Sequence, residues 1–228
     1  MTSLGIKRSN SLIETLVSKK AFWLVFVLYF FSVPFFKSVF RELPPELPVM
    51  KQLPAFSLTN SFGKTFGSKE LEGRVYIANF IFTNCPSSCL RLTEEMQKIQ
   101  KRVRGLGQKV ALVSFTVDPE TDNPKTLFKY ARKHQANPYI WTFLTGKTED
   151  MQSTIVDGFG TQMGKLQEVE ANVNGEKVTM LDIAHSEKLV LVDGHGKIRG
   201  YYDSTSKDIN KLMIDLGLLV NKEQYLKN

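Results

Sequence analysis

The sequence predicts an α/β domain with helices on both faces of its sheet, carried behind one N-terminal transmembrane helix. Three observations carry that prediction. RVYIANFIF (Arg74 to Phe82) and KVALVSFTV (Lys109 to Val117) are nearly continuous apolar runs rich in strand formers, as expected of strands covered on both sides. Each is followed by residues that recur at helical spacing. Ahead of them, AFWLVFVLYFFSVPFF between Lys20 and Lys37 holds no charge.

The chain has 228 residues, 42% of them hydrophobic, a formal net charge of +7 and two cysteines. One packed core is within reach of that length, and a disordered, collagen-like or disulfide-stapled protein is excluded. Residues 1–20 form a short tail bearing Lys7, Arg8, Lys19 and Lys20. With the Lys37 side chain reaching to the interface, the apolar span runs over residues 21–40, enough to cross a hydrocarbon layer about 30 Å thick. It is long for the core of a cleavable signal peptide and no small-x-small site follows it, so a retained anchor is expected. The lysines before the span then keep the tail cytoplasmic and put the rest of the chain outside. Residues 41–52, with Pro44, Pro45 and Pro48, are a semi-rigid linker, and residues 53–228 the folded domain. No run of basic residues interleaved with aromatics occurs in that domain, which argues against nucleic acid as a partner.

Within the domain, Phe56 to Thr59 and the turn at Asn60 to Gly63 predict an opening hairpin. The strand from Arg74 to Phe82 hands over to a helix whose apolar stripe is Leu90, Thr93, Met96 and Ile99, with Asn84 or Ser87 as cap. After the strand from Lys109 to Val117, Pro124 opens a second helix through Leu127, Tyr130 and Ala131. Trp141 to Thr145 is a third strand, and a third helix follows from Thr148 or Glu149 to Phe159. Asn174-Gly175 marks a hairpin turn in an inserted segment. Lys188 to Val192 and Lys197 to Tyr202 flank Gly194-His195-Gly196 as a closing hairpin, and Ser206 to Leu219 is a terminal amphipathic helix.

Cys85 and Cys89 fall where the first long strand meets its helix, at the carboxyl edge where α/β sheets usually build their sites. Four residues apart at a helix entry, the two thiols share one face, and the helix amino end lowers thiol pKa. Disulfide closure and metal binding are both open to such a pair; only a further residue separates them. Of three histidines, His134 lies near a helix end in a solvated or capping role, and His195 sits at a hairpin tip. His185 precedes the apolar strand of Lys188 to Val192, and by itself is as consistent with a packed side chain as with a ligand.

Four stretches in order, IANFIFTNCPSSC (Ile77 to Cys89), FTVDPETDNPKTLFKYARKH (Phe115 to His134), WTFLTG (Trp141 to Gly146) and HSEKLVLVDGHGKIRGYYD (His185 to Asp203), resemble the SCO/SenC family of membrane-anchored, thioredoxin-like copper proteins. The resemblance covers nearly the whole domain from about Leu53. It implies a thioredoxin-like fold and a copper site made of the Cys85 and Cys89 thiolates and the His185 imidazole. Two thiolates and an imidazole are a soft set suited to Cu(I), and to Cu(II) with a fourth ligand. Zinc meets the same three residues, but a structural zinc site wants a fourth protein ligand that the sequence does not identify. Asp118 is expected either as an orienting carboxylate beside the metal or as the cap of the Asp118-Pro119 turn. The chain departs from the family pattern at Leu90, where proline often follows the second cysteine, at Ser87 and Ser88, and in lacking a proline just before His185.

The function so implied is a metallochaperone that takes copper from a donor chaperone and passes it to the copper-bearing subunit of cytochrome c oxidase, at its dinuclear copper centre, with a thiol reductant keeping the pair reduced. The competing reading is a membrane-anchored thiol-disulfide oxidoreductase that uses Cys85 and Cys89 to reduce the target's cysteines and has no need of His185. A classical enzyme is not the first expectation. The absence of an Arg-rich, acid-poor presequence points to a bacterial inner membrane with the domain in the periplasm, ahead of the mitochondrial intermembrane space.

Overall fold

The computed structural model describes residues 19–39, 46–84, 88–173, 176–185 and 187–225. For 34, 37–39, 88–90, 164–173, 176–185 and 223–225 it describes the backbone alone. The chain divides into two compact units, Met1–Glu46 and Leu47–Asn228.

In the first unit the described element is helix α1 (Lys20–Val39). Phe22, Phe26 and Phe30 stack ring on ring at four-residue spacing, 6.3 and 6.1 Å between centroids, and its large apolar side chains from Trp23 to Phe36 are exposed. Among the described residues no helix is long and apolar enough to cross a membrane. The expected span continues to Phe40, and residues 37–40 lie outside the described side chains.

The second unit is built on one sheet of eight strands in the order β1-β10-β9-β4-β5-β6-β2-β3. These are β1 (Lys51–Gln52), β2 (Ser57–Asn60), β3 (Thr65–Gly67), β4 (Val75–Ile81), β5 (Val110–Thr116), β6 (Trp141–Thr145), β9 (Leu189–Val192) and β10 (Lys197–Tyr202). β4, β5 and β6 run parallel, and β9 and β10 join antiparallel on the other side of β4. Every residue of β4 and of β5 is buried, which is why both read as unbroken apolar runs. Alternate residues feed two cores. Ala78, Phe80 and Phe115 pack with Met151, Ile155 and Phe159 on one face. Ile77, Ile81 and Leu112 pack with Leu92, Met96, Leu127, Leu212 and Leu216 on the other.

The second face is covered by α3 (Ser88–Val103), α4 (Pro124–Lys133) and α6 (Ser206–Tyr225), and the first by α2 (Ser68–Leu71) and α5 (Thr148–Gln152) with its continuation. The expected stripe of α3 is buried at Thr93, Met96 and Ile99, and Leu90 lies outside the described side chains. Asn123 caps α4, its side chain accepting from the Thr126 N–H at 3.0 Å, with Pro124 at the first position where a missing N–H costs nothing. Helices therefore cover both faces, as expected.

Three elements differ from expectation. The third helix does not run on as an α-helix to Phe159: Ser153–Gly158 widens into a π-helical turn, with the Phe159 N–H reaching the Thr154 carbonyl at 3.0 Å. The terminal helix ends at Tyr225 rather than Leu219. And Lys51–Gln52, at the end of the proline-rich stretch, pairs with β10 as an edge strand. The turn expected at Asn174-Gly175 lies outside the described residues, but the strands around it, β7 (Met163–Val173) and β8 (Glu176–His185), pair antiparallel up to Val173 opposite Glu176.

Candidate metal centre

The carboxyl ends of β4 and β5 lie side by side, with Ile81 opposite Thr116 and the Val117 N–H bonded to the Ile81 carbonyl at 2.8 Å. From the first of these ends the chain passes through buried Phe82, half-buried Thr83 and exposed Asn84. Cys85 follows, outside the described residues, and Cys89 is the second residue of α3, described by its backbone alone. That puts Cys89 in the first turn of a helix, where the aligned peptide dipoles favour a thiolate.

His185 is the last residue of β8, with Met163 as its backbone partner on β7. The Met163 side chain packs on the first core cluster, and Thr161 and Gln162 just before it line one groove with Glu187 and Lys188, so the open end of the β7–β8 ribbon lies at the pole of the sheet where β9 begins and β4 ends. A second tie is an ion pair of 2.9 Å between Arg91, two residues after Cys89, and Glu187, two residues after His185. Both side chains are largely exposed, so the pair contributes little to stability; its value is that it marks the helix of Cys89 and the strand end of His185 as neighbours. An open groove lined by Thr161, Gln162, Glu187, Lys188, Tyr201 and Asp203 runs beside these strand ends.

The other histidines lie elsewhere. His134 is the C-cap of α4 and 6% exposed, so of its two expected roles the cap is the one observed; its N–H bonds the Tyr130 carbonyl at 3.0 Å and its ring lies 4.3 Å from that of Tyr130. His195 occupies the β9–β10 turn, its N–H held by Asp193 at 2.9 Å. That turn is at the amino end of β4, since Val192 pairs with Tyr76, and a separate cavity lined by Lys69, Glu72, Tyr76 and His195 opens there. His185 is thus the histidine at the cysteine pole.

Asp118 is half-buried just beyond β5. Its N–H donates to Thr116 Oγ1 at 3.0 Å, its Oδ1 accepts from the Thr121 N–H at 3.3 Å, and its carbonyl accepts from the Asp122 N–H at 2.8 Å. These are the bonds of a turn-capping aspartate. Asp122, which sequence reasoning passed over, does more for the site. It is 1% exposed; its Oδ2 accepts from the Thr83 N–H at 3.0 Å and from Thr116 Oγ1 at 2.6 Å, and its Oδ1 from Thr83 Oγ1 at 2.5 Å. One carboxylate thus clamps the exit of β4, two residues before Cys85, to the exit of β5. Burial pushes its pKa up, against the pull of these hydrogen bonds, with the Asp118 charge adding to the rise. No sequence cue announces this contact, because Thr83 and Asp122 are neighbours only once β4 and β5 have paired.

Among the described residues no group of three His, Cys, Asp or Glu side chains is placed to hold a metal ion; the side chains of Cys85, Cys89 and His185 are outside that set. Their chemistry nonetheless fits a soft ion, since two thiolates and an imidazole suit Cu(I).

The SCO1/SenC family model matches residues 48–218, most of the chain and nearly all of the second unit. The chain belongs to the SCO1/SenC family. Within it, the SCO1 protein homolog of Bacillus subtilis is 37% identical over 102 residues, 45% of this chain. The match spans about half of that relative, 53% of its length. The solved structure of BsSco, described as a member of the Sco family of cytochrome c oxidase assembly proteins with a disulfide switch, is 27% identical, covers 77% of this chain and 98% of its own, and superposes with a TM-score of 0.63. Bradyrhizobium japonicum ScoI, a structure with copper bound, shares the fold at 20% identity, with a TM-score of 0.59 over 74% of this chain and 99% of its own. The fold is accordingly the thioredoxin-like fold of the Sco proteins.

Proposed function

We propose that this SCO1/SenC protein binds copper through Cys85, Cys89 and His185 and hands it, by exchange of ligands, to the copper-bearing subunit of cytochrome c oxidase. The observation that carries the reading is the Arg91–Glu187 ion pair, which makes neighbours of the segments bearing the second cysteine and the histidine. Family membership and the copper held by a relative of the same fold support it. Copper is cargo in this scheme: the thiolates give an incoming ion a soft seat, and the imidazole, on a separate strand, is the ligand that can be released first as the acceptor's donors take over. Asp118 stands near as a turn-forming carboxylate.

In the same proposal residues 21–40 anchor the chain in a bacterial inner membrane, with the domain on the periplasmic side. A donor chaperone loads the site and a thiol reductant keeps Cys85 and Cys89 reduced. The test is a Cu(I) titration of the reduced full-length protein in detergent against a competing chelator. Tight 1:1 binding, weakened by His185→Ala and abolished by Cys85→Ser with Cys89→Ser, is the expected result. Affinity indifferent to His185→Ala removes the histidine from the site.

The second reading is thiol-disulfide exchange, favoured by the disulfide switch described for BsSco and by the helix-start position of Cys89. It predicts disulfide reductase activity that survives His185→Ala in a protein without measurable copper affinity.

A further inference from the structure

Met163 is the residue that the ribbon puts directly opposite His185. Residues paired across antiparallel strands stand on one face with their β-carbons about 4.5–5.5 Å apart. Its thioether is not lost in the core: Met163 is half-buried, packed at the edge of the first core cluster. The segment that brings it there is held firmly. Tyr201 donates to the Phe159 carbonyl at 2.8 Å, and Thr161 donates to the Ile155 carbonyl through its hydroxyl at 3.0 Å. Immediately after Met163 the ladder slips, with a register shift before Leu166. Such irregularities are a common means of re-aiming a side chain beside a site.

From this placement we propose that Met163 is a further copper ligand, its thioether sulfur joining the two thiolates and the imidazole when the ion is Cu(I). The proposal rests on the copper reading above and adds a donor to it. A thioether is neutral and soft, so it favours Cu(I) over Cu(II) and binds more weakly than a thiolate. Met163 therefore biases the oxidation state of the cargo and gives the site a donor that is readily exchanged. It lies beside the open groove lined by Thr161, Gln162, Glu187 and Lys188, the side from which a second protein's ligands have access.

The test uses the full-length protein grown with selenomethionine, reduced, loaded with Cu(I) in detergent and measured by X-ray absorption at the copper edge. Copper–selenium scattering beside copper–sulfur scattering is expected in the wild type. It should vanish in Met163→Leu, which conserves volume, and persist in Met180→Leu, whose residue pairs with Val169 further along the ribbon. Binding should remain 1:1 in Met163→Leu, while the ratio of Cu(I) to Cu(II) affinity falls about tenfold or more, a scale that even outer-shell partners of metal ligands reach. Copper–sulfur scattering with no selenium neighbour in the wild type overturns the role of Met163 and leaves the Cys–Cys–His site standing; so does selenium scattering unchanged in Met163→Leu. Absence of any copper–thiolate signal overturns both. Should Met163→Leu not fold, wild-type scattering without selenium still overturns the proposal, and loss of the selenium signal in Met163→Gln, which keeps the length of the side chain but not the soft donor, supports it.

Discussion

Asp122 shows how a single buried carboxylate can organise a site it does not enter. Asp122→Ala strands the Thr83 N–H and the hydroxyls of Thr83 and Thr116, and each stranded buried donor costs about 1–3 kcal/mol. A loss of about 2 kcal/mol or more in urea unfolding is expected, together with a weaker copper affinity because Thr83, two residues before Cys85, loses its clamp. Asp122→Asn can keep the contacts, with the Thr83 hydroxyl turned to accept, and should stay within about 1 kcal/mol of the parent. The sign of its pH dependence follows from the raised pKa. A carboxyl whose folded value exceeds its unfolded one supports the fold fully below the unfolded value, and that support is lost as pH rises through the folded value. The advantage of the parent over Asp122→Asn should therefore be largest in acid, below the ordinary 3.8, and shrink toward neutrality.

His134 has the opposite slope. Burial holds its pKa below the ordinary 6.5, the Lys133 charge adds to that and the Glu94 charge opposes it. The folded state thus prefers the neutral ring, and stability is lost as pH falls from 6.5 through the lowered folded value. In His134→Gln the fall in thermal midpoint between pH 7.5 and pH 5 should be smaller than in the parent. An equal fall in the two proteins would show that the cap does not titrate with folding.

At the scale of elements, α6 closes the second core through Ile209, Leu212, Leu216 and Leu219. It is fixed in rotation by Tyr202, which donates to Asp215 Oδ2 at 2.7 Å and carries the Lys211 ammonium over its ring, 5.2 Å from the centroid. Leu212 is fully buried, so Leu212→Ala should cost about 2–5 kcal/mol, with the spread set by how far the helix can settle into the gap. A shift of the urea midpoint without a change in its slope would confirm the loss of packing alone. The elements also show what a linear reading can reach. β4, β5, β6 and α4 were legible because each declares itself locally, by an apolar run or by Asn123-Pro124 at a helix start. The π-turn at Ser153–Gly158 was not, because it inserts one residue into a ladder whose composition is ordinary. The overrun of α6 to Tyr225 is not legible because an apolar stripe marks only the packed part of a helix, whereas polar residues such as Asn221 and Lys222 can continue it.

For the whole molecule, copper is expected to stabilise by mass action: a free concentration one hundred times Kd adds about 2.7 kcal/mol to unfolding. Because thiolates and a neutral imidazole are the binding forms, that increment should shrink as pH falls from 8 to 5. A copper-induced rise in thermal midpoint that is constant over this range would be incompatible with the Cys85, Cys89 and His185 set. The ligands of this set were legible as residue types, but their juxtaposition was not. Only the pairing of β8 with β7, the packing of Met163 and the Arg91–Glu187 contact bring the strand end of His185 to the cysteine pole.

The sheet order also fixes a sequence of events during synthesis. β4 pairs on one side with β5, the next long strand, but on the other with β9, so that Tyr76 waits for Val192. Contacts so distant along the chain form slowly and last. A chain made from its amino end presents Cys85 and Cys89 nearly one hundred residues before His185 exists. For that interval the thiols have each other as partners and no imidazole. If the thiols meet an oxidant in that interval, the disulfide is the expected first product, and under the proposed copper reading its reduction precedes the first loading with metal.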